Sequence, residues 1–193
     1  MKRLVLSDTL DLVAYEKIRR EFLAKTIELK KPRRIGVGNE LTFIFENRDT
    51  VLFQVQEMLR AERTVQDEAI LNELEVYNEL IPRKNELSAT LMIEITEAEK
   101  IRPTLDRLAG IDEFVYLDVG EASYPARFDP RQFDEERISA VQYVRFRLGD
   151  EGAADFLDPS KEVRLRVAHP AYSAETTLDK QSRASLSEDL RSE

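Results

Sequence analysis

The 193-residue chain contains no cysteine and a single histidine, His169. Without a thiol, the chain cannot form a disulfide, bind an Fe–S cluster or zinc through cysteine, or use a thiolate nucleophile. With one histidine, it cannot supply the Glu-x-x-His pairs that facing helices carry in di-iron carboxylate bundles. Cysteine-based redox chemistry and the di-iron bundle are therefore excluded for this chain.

Long hydrophobic runs are also missing from the sequence. No apolar segment reaches the roughly 20 residues that a membrane-spanning helix needs. The first residues, MKRLVLSDTLDLV, are too acidic for a secretory signal peptide, and their apolar part is too short. These features predict a cytoplasmic protein that has no membrane partner.

Acidic residues outnumber basic ones, 38 to 29, which gives a net charge of −9. Such a chain repels phosphate backbones, so nucleic acid is not expected as a partner. The one basic cluster, KKPRR, follows the first predicted helix, where cations complement the partial negative charge of a helix C-terminus. A hydrophobic content of 42% still allows a substantial core.

Apolar spacing and capping signals predict three helices in the first part of the chain. They span Asp8 to Lys31, Arg48 to Arg63 and Gln66 to Leu80. Asn47 is suited to cap the second helix, and Thr64 with Asp67 resembles a capping box for the third. A turn at Gly36 to Gly38 and a short strand from Leu41 to Phe45 complete this part.

Alternating apolar and polar residues predict strands in the rest of the chain. They span Leu87 to Ile95, Phe114 to Val119, Tyr124 to Phe128, Ala140 to Arg147 and Val163 to His169. A helix that opens at Thr96 and closes at Gly110 separates the first two strands, which indicates a crossover unit. Gly149 to Pro159 is expected to be a loop, and Leu178 to Leu190 a polar helix.

Together these elements predict an α+β fold. A helical N-terminal half, residues 1–82, is expected to pack on a mixed or mostly antiparallel sheet with a strand-helix-strand crossover in residues 83–193. No Gly- or Ser-rich linker separates the two halves. We therefore expect them to pack together as one unit.

Several polar residues fall on or beside the apolar stripes of the second and third predicted helices. At about 100° per residue, Arg48 and Glu62 project into one stripe, and Glu73 and Asn78 flank the other. Two interpretations stay open: a site for acid–base chemistry, ligand binding or a hard metal, or an ion-pair network that fixes helix register. The candidates are Glu62, Glu73 and His169 for catalysis, Arg48, Asn78 and Tyr77 for ligand binding, and Glu57, Glu62 and Glu73 for a metal.

Two further residues have alternative interpretations. His169 ends a predicted strand beside Pro170, where it can be a base, a ligand or a hydrogen-bonded structural residue. Phe53 projects away from the stripe of its helix, so it packs against another element, packs against a second subunit or lies exposed. A homo-oligomer is therefore left open, and no cofactor or reaction follows from the sequence.

Five segments resemble a bacterial family of domains of unknown function. They are FENRDTVLFQVQEMLRAER, ELEVYNEL, ELSATLMIEI, SAVQYVRF and HPAY, and the resemblance extends from Tyr15 to Leu190. Genes of that family often lie beside genes for rubrerythrin-like proteins and Fe–S oxidoreductases. The resemblance implies a redox or oxidative-stress setting and an accessory or interaction role with a redox protein partner. It supplies no catalytic residues, and an enzyme or a ligand- or metal-binding protein is the alternative.

Overall fold

The structure is a computed structural model that describes residues 1–129, 133–134 and 137–192. Its α-helices span Leu12–Lys30 (α1), Arg48–Glu62 (α2), Asp67–Tyr77 (α3), Ile101–Arg107 (α4), Gly149–Leu157 (α5) and Lys180–Arg191 (α6). Its strands span Arg34–Val37 (β1), Leu41–Glu46 (β2), Glu86–Ile93 (β3), Val115–Val119 (β4), Ala122–Phe128 (β5), Phe133–Asp134 (β6), Arg137–Ile138 (β7), Val141–Arg147 (β8), Val163–His169 (β9) and Tyr172–Thr177 (β10). Single turns of 3-10 helix span Leu6–Asp8, Lys31–Arg33, Asn78–Leu80, Ala98–Lys100 and Ile111–Glu113.

Within the described residues, eight strands form one sheet in the order β1-β2-β3-β8-β5-β4-β9-β10. Every neighbouring pair in it is antiparallel. The sheet curls until its two edges meet: Tyr172 of β10 donates its hydroxyl to Val37 O at 2.6 Å, and Thr176 donates to Gly36 O at 2.7 Å. The result is a nearly closed barrel whose seam is joined by side chains.

The predicted fold is wrong in two respects. The N-terminal half is not simply helical, because β1 and β2 belong to the barrel and β2 pairs with β3. The strand-helix-strand crossover is also absent among the described strands, because β8 and β5 lie between β3 and β4. Both neighbours of β3, β2 and β8, run antiparallel to it, and β8 comes from about fifty residues further along the chain. The pairing of β3 with β8 therefore does not follow from the order of the strands in the sequence.

The described residues form two hydrophobic clusters. The larger one fills the barrel with buried side chains such as Phe43, Leu87, Phe146 and Leu165. The smaller one joins α2, α3 and the N-terminal segment outside the barrel, through Leu4, Val51, Val55, Leu59, Leu74, Leu80 and Ile81. Tyr143 of β8 packs against this smaller cluster, which places α2 and α3 over the outer face of the barrel. As a result β3 is buried on both faces, although its alternation of apolar and polar residues is typical of a strand with one buried face.

Several apolar residues that recur at helical spacing along α1 do not face the core. Val13, Ile18 and Ile27 are 67%, 42% and 51% exposed. The helix instead contacts α2, and its Phe22 lies edge-on to Phe53 at 5.9 Å between ring centroids. Phe53 thus packs within the chain, and the homo-oligomer that it left open stays a prediction.

Local signals succeeded and failed for identifiable reasons. Asn47 caps α2 as predicted, since its side chain accepts from the amides of Asp49 and Thr50. The capping box predicted for α3 is wrong, because Gln66 is its N-cap and makes no side-chain capping bond. The predicted loop from Gly149 is the helix α5, which Phe156 anchors in the barrel core.

No helix in the described part of the chain has both the length and the apolar character to cross a bilayer.

Candidate functional site

The predicted polar cluster of α2 and α3 does not converge on one point. Arg48 forms an ion pair with Asp8 at 2.7 Å, and Glu62 is exposed at the end of α2. Asn78 is buried and holds the N-terminal segment, since it accepts from Leu4 N at 2.7 Å and donates to Leu4 O at 2.9 Å. Arg48 and Asn78 therefore make separate contacts with the N-terminal segment, and Glu62 faces solvent.

Glu57 joins α2 to α1. Its carboxylate accepts a hydrogen bond from the hydroxyl of buried Tyr15 at 2.7 Å and two from the guanidinium of Arg19, both at 2.8 Å. The hydrogen bond from Arg19 lowers the pKa of Glu57, while burial raises the pKa of Tyr15. Among the described residues no three His, Asp or Glu side chains are grouped so that they could hold a metal ion.

His169 lies near the end of α4, away from the helix pair. Its Nδ1 accepts from Ala171 N at 3.2 Å, and its Nε2 lies 3.0 Å from Ala109 O, so Nε2 carries the donated proton. Phe114 packs edge-on against the ring at 5.3 Å. Because both ring nitrogens are engaged and the side chain is 7% exposed, this geometry anchors the turn between β9 and β10.

A cleft of about 670 Å³ opens between the end of α3 and the outer face of β5 and β8, and we call it the α3–β8 cleft. It brings together two of the predicted site residues, Glu73 and Tyr77. The cleft is lined by Glu73, Val76, Tyr77, Glu79, Leu80, Arg83, Ser88, Arg127, Phe128, Asp129, Tyr143, Val144, Arg145 and Arg147.

A row of polar residues crosses four strands beneath this cleft. Glu46 of β2 is opposite Ser88 of β3, Ser88 is opposite Arg145 of β8, and Arg145 is opposite Arg127 of β5. Side chains at such opposed positions share one face of a sheet, and here it is the outer face of the barrel. The row runs from a fully buried carboxylate under α2 to an exposed guanidinium at the cleft.

Glu46, at the buried end of this row, connects α2 to the strands that lie beneath the cleft. The carboxylate of Glu46, 2% exposed, accepts from the hydroxyls of Thr50 at 2.5 Å and Thr90 at 2.7 Å. Thr50 also accepts from Asn47 N in the capping box of α2, so these contacts fix the start of α2 to β3. The pKa of Tyr143 is raised by burial and then by the charge of Glu46.

The barrel side of the cleft is rich in arginine. Buried Glu86 accepts from Arg145 Nη1 and Arg147 Nε, both at 3.1 Å, so one carboxylate serves two guanidinium groups. The exposed side chain of Arg127 makes no hydrogen bond or ion pair with any residue that the structure describes. Arg127, Arg145 and Arg147 outnumber the two carboxylates of this wall, Glu86 and Asp129, so the wall keeps a net positive charge.

The helix side of the cleft carries the opposite charge. Glu73 is half-buried there, and the pKa of Tyr77 is raised by burial and, to a lesser extent, by Tyr143, Glu73 and Glu62. Both cleft tyrosines therefore keep their protons at neutral pH and can donate hydrogen bonds. The cleft thus combines opposed charges, two phenols and an apolar lining.

Sequence reasoning missed the arginines of this site. A signal was present, because Tyr143, Arg145 and Arg147 alternate with buried residues along β8, and Glu86, Ser88 and Thr90 do so along β3. Such alternation is usual for a solvent-facing strand surface. What it does not show is that α3 covers this surface or that β5 is the neighbour of β8.

Comparison with known proteins places the chain in a family. Residues 3–190 match the family model described as "Protein of unknown function (DUF3501)". The chain belongs to the DUF3501 family. The predicted membership of a family of unknown function is confirmed, and the redox setting stays a prediction.

This chain is also similar to a solved structure. The crystal structure of a "novel protein of unknown function" from Burkholderia pseudomallei, at 1.90 Å resolution, is similar with a TM-score of 0.92. The two sequences are 35% identical, and the match covers 98% of this chain and 100% of that one. No curated protein matches the chain.

Proposed function

We propose that this protein binds a small organic acid in the α3–β8 cleft. The observation that supports this most is Arg127, which stands directly opposite Arg145 in the β5–β8 pairing without a described partner of its own. Like charges directly opposite each other destabilise a sheet. An anion bound between them would remove that repulsion, which is the behaviour of a ligand site.

The remaining lining suits the same ligand. A guanidinium offers two parallel N–H donors that match a carboxylate. Tyr77 adds a phenol donor, because burial raises its pKa and keeps the hydroxyl protonated. Val76 and Leu80 offer apolar surface to the body of the ligand, and the volume of about 670 Å³ lies within the usual range for ligand pockets, about 300–1,000 Å³.

The cleft supports binding better than catalysis. A general base near neutral pH would need a group that loses its proton there, and the raised pKa values of Tyr77 and Tyr143 work against that role. The chain has no cysteine, and its histidine lies against Ala109 and Ala171 rather than in the cleft. The function proposed is therefore recognition of a ligand.

The test is a calorimetric titration with hexanoate and benzoate as probes. We expect at least one of them to bind at a single site. Replacement of Arg127 by Gln should weaken binding about tenfold or more, because hydrogen bonds to charged groups contribute about 1.5–3 kcal/mol. The control is Arg102→Gln, on exposed α4, where Arg102 pairs with Asp106. Binding of neither acid, or equal binding by wild type and Arg127→Gln, would contradict the proposal.

An accessory role with a redox protein partner, implied by the family resemblance, is a second proposal. What supports it is α1, where Val13 and Ile27 are 67% and 51% exposed, since such apolar surface is typical of protein contacts. The net charge of −9 favours a partner with a basic face.

The second proposal is tested by affinity capture in the native host with mass spectrometry. We expect an iron–sulfur oxidoreductase or a rubrerythrin-like protein to be captured by the wild type and lost with Val13→Glu combined with Ile27→Glu. The control is the exposed change Val65→Glu, between α2 and α3. Capture of no redox protein, or equal capture by the double variant, would count against this role.

A further inference from the structure

We infer that the ligand of the α3–β8 cleft is a zwitterion, with its carboxylate on Arg127 and an ammonium group on Glu73. The inference rests on the proposed function and adds the chemical class of the ligand. It is carried by the opposed charges of the two walls of the cleft, which a simple acid would use only in part.

Glu73 is the first observation. It lines the cleft half-buried and forms no hydrogen bond or ion pair with the residues that the structure describes. By contrast, half-buried Glu57 and buried Glu86 are each held by guanidinium groups. A carboxylate withdrawn from water without a cation is unfavourable, so Glu73 attracts a cation that the chain itself does not supply.

The end of α3 is the second observation, and it is independent of Glu73. The helix ends at Tyr77 and has no basic residue in its last turn. The partial negative charge of its C-terminal carbonyls therefore lacks the complement that Lys or Arg commonly provides. Because the Asn78–Leu80 turn continues into the cleft wall at Leu80, an ammonium group beside Glu73 would also meet this end of the helix.

The opposite wall selects for the other charge. Arg127 lacks a described partner, and Arg145 shares the carboxylate of Glu86 with Arg147. A phosphate dianion would suit these arginines but would also face Glu73, so repulsion disfavours it. A single carboxylate joined to a cation satisfies both walls.

The two tyrosines suit the middle of such a ligand. Tyr77 and Tyr143 both line the cleft, and Tyr143 contributes, after burial, to the raised pKa of Tyr77. Aromatic ring faces attract ammonium groups, and protonated phenols donate to carboxylates. With Val76, Leu80 and Val144 as apolar neighbours, an amino acid whose two charges are separated by an aliphatic spacer is the class that fits.

The experiment is a calorimetric series on the full chain with ω-aminoalkanoates of about two to about eight carbons, a span that small-ligand pockets accommodate. Each compound is compared with the alkanoate and the alkylamine of the same length. We expect one chain length to bind best, about tenfold or more tighter than its alkanoate, because a charged hydrogen bond is gained.

Variants assign the two charges. Glu73→Gln should reduce the best ω-aminoalkanoate to the affinity of its alkanoate, whereas Arg127→Gln should weaken both compounds. Glu75→Gln is the matched control, since Glu75 is exposed on the same helix and does not line the cleft. The wild-type comparison of the three compound classes tests the inference even if a variant folds poorly.

The outcomes separate the inference from the proposed function. If alkanoates bind through Arg127 and the amino group adds no affinity, the zwitterion is wrong and the organic-acid site stands. If the amino group adds affinity that Glu73→Gln leaves intact, the placement of the ammonium on Glu73 is wrong, and the inference fails while the organic-acid site stands. If neither the acids nor the amino acids bind, both the inference and the proposed function are wrong.

Discussion

Glu57 shows how one carboxylate can join two helices. Its contacts with Tyr15 and Arg19 fix α1 on α2, and the hydrogen bond from Arg19 lowers the pKa of Glu57 from its usual 4.5. A carboxyl group with a lowered pKa in the folded state stabilises the fold above its unfolded pKa. That contribution is lost as the pH falls through the folded pKa.

Replacement of Glu57 by Gln should therefore have a pH-dependent effect. We expect the variant to unfold at lower urea concentration than the wild type at neutral pH. The difference should shrink as the pH falls below 4.5 and through the lowered pKa. Urea titrations across this range measure it, with exposed Glu68→Gln of α3 as control. A difference that stays constant down to the acid limit would contradict this role of Glu57.

Arg33 and Asp189 form a buried ion pair. It joins the turn of 3-10 helix that precedes β1 to helix α6. The side chains of the pair are 1% and 3% exposed, and the guanidinium of Arg33 also donates to Phe45 O at 2.8 Å and Glu46 O at 3.1 Å. Removal of one partner from such a pair leaves an unpaired buried charge. The pair therefore specifies where α6 docks.

Arg33→Met should lower the free energy of unfolding by about 3–5 kcal/mol. Arg33→Met combined with Asp189→Leu should recover part of that loss, because no unpaired carboxylate remains. Arg34→Met is the control, since Arg34 pairs with Glu94 at the surface, and its loss should cost about 1 kcal/mol or less. Chemical denaturation measures all three, and a single variant as mild as the control would contradict the role of the pair.

The cleft residues that could be predicted from the sequence lie on a single helix. The apolar stripe of α3 led to Glu73 and Tyr77, which line the cleft. Arg33 was interpreted as a cation at a helix end, because its partner Asp189 lies 156 positions away in the sequence. Arg127 and Arg145 meet only through the β5–β8 pairing, which no local pattern encodes.

At the level of elements, β1 and β10 close the barrel without pairing as strands in the sheet. The seam between them is held by side chains, and Tyr172 also accepts from Glu40 N at 3.2 Å. Gly38 lies against this tyrosine with a φ of +66°, and a Cβ at Gly38 would be 2.2 Å from the hydroxyl of Tyr172. Closure of the seam therefore depends on a residue without a side chain at this turn.

Gly38→Ala should lower the free energy of unfolding by about 1–3 kcal/mol, because alanine is strained at this φ and displaces Tyr172. Gly36→Ala is a matched control on the neighbouring strand, since a Cβ there meets nothing within 4 Å. Denaturation curves and hydrogen exchange of β10 amides test both variants. Equal stability of the two would show that the seam does not need Gly38.

Strands and helices with strong periodicity were predictable. The helix α5 was not, because it depends on burial in the barrel core. Strong periodicity marked α2, β8 and β9, whose buried residues alternate or recur as expected. The segment GDEGAADFL has two glycines and was expected to be a loop, yet burial of Ala153 and Phe156 in the barrel core stabilises it as α5. Tertiary packing overrode local propensity there.

Across the whole molecule, the N-terminal and C-terminal halves of the chain are joined by strand pairing and by a buried ion pair. β2 pairs with β3 across the predicted boundary at residue 82, and Arg33 pairs with Asp189. A prediction that stays to be tested is that residues 1–82 and 83–193 form one co-packed unit. The cytoplasmic location stays a prediction as well.

We expect a single cooperative unfolding transition. Because both halves contribute strands to one sheet, neither keeps its hydrogen-bond partners when the other unfolds. Circular dichroism of the helices and near-ultraviolet signals of the tyrosines should give coincident curves, and the calorimetric and van't Hoff enthalpies should agree. Two separated transitions would show that the halves are independent.

The strand order could not be derived from the sequence. Patterns identify individual strands, but the choice of neighbours depends on which faces bury together in three dimensions. The insertion of β8 and β5 between β3 and β4 brings Arg145 next to Ser88, and Arg127 next to Arg145. The candidate site follows from that insertion, so it could not be predicted before the sheet order was known.

The measurement that tests ligand recognition in the α3–β8 cleft most directly is a nuclear magnetic resonance titration of isotope-labelled protein with the tightest-binding probe acid. We predict that amide shifts concentrate at Tyr77, Arg127 and Tyr143, the residues that line the cleft, and that Arg127→Gln abolishes them. Saturable shifts confined to another surface, or no saturable shifts at all, would contradict the account.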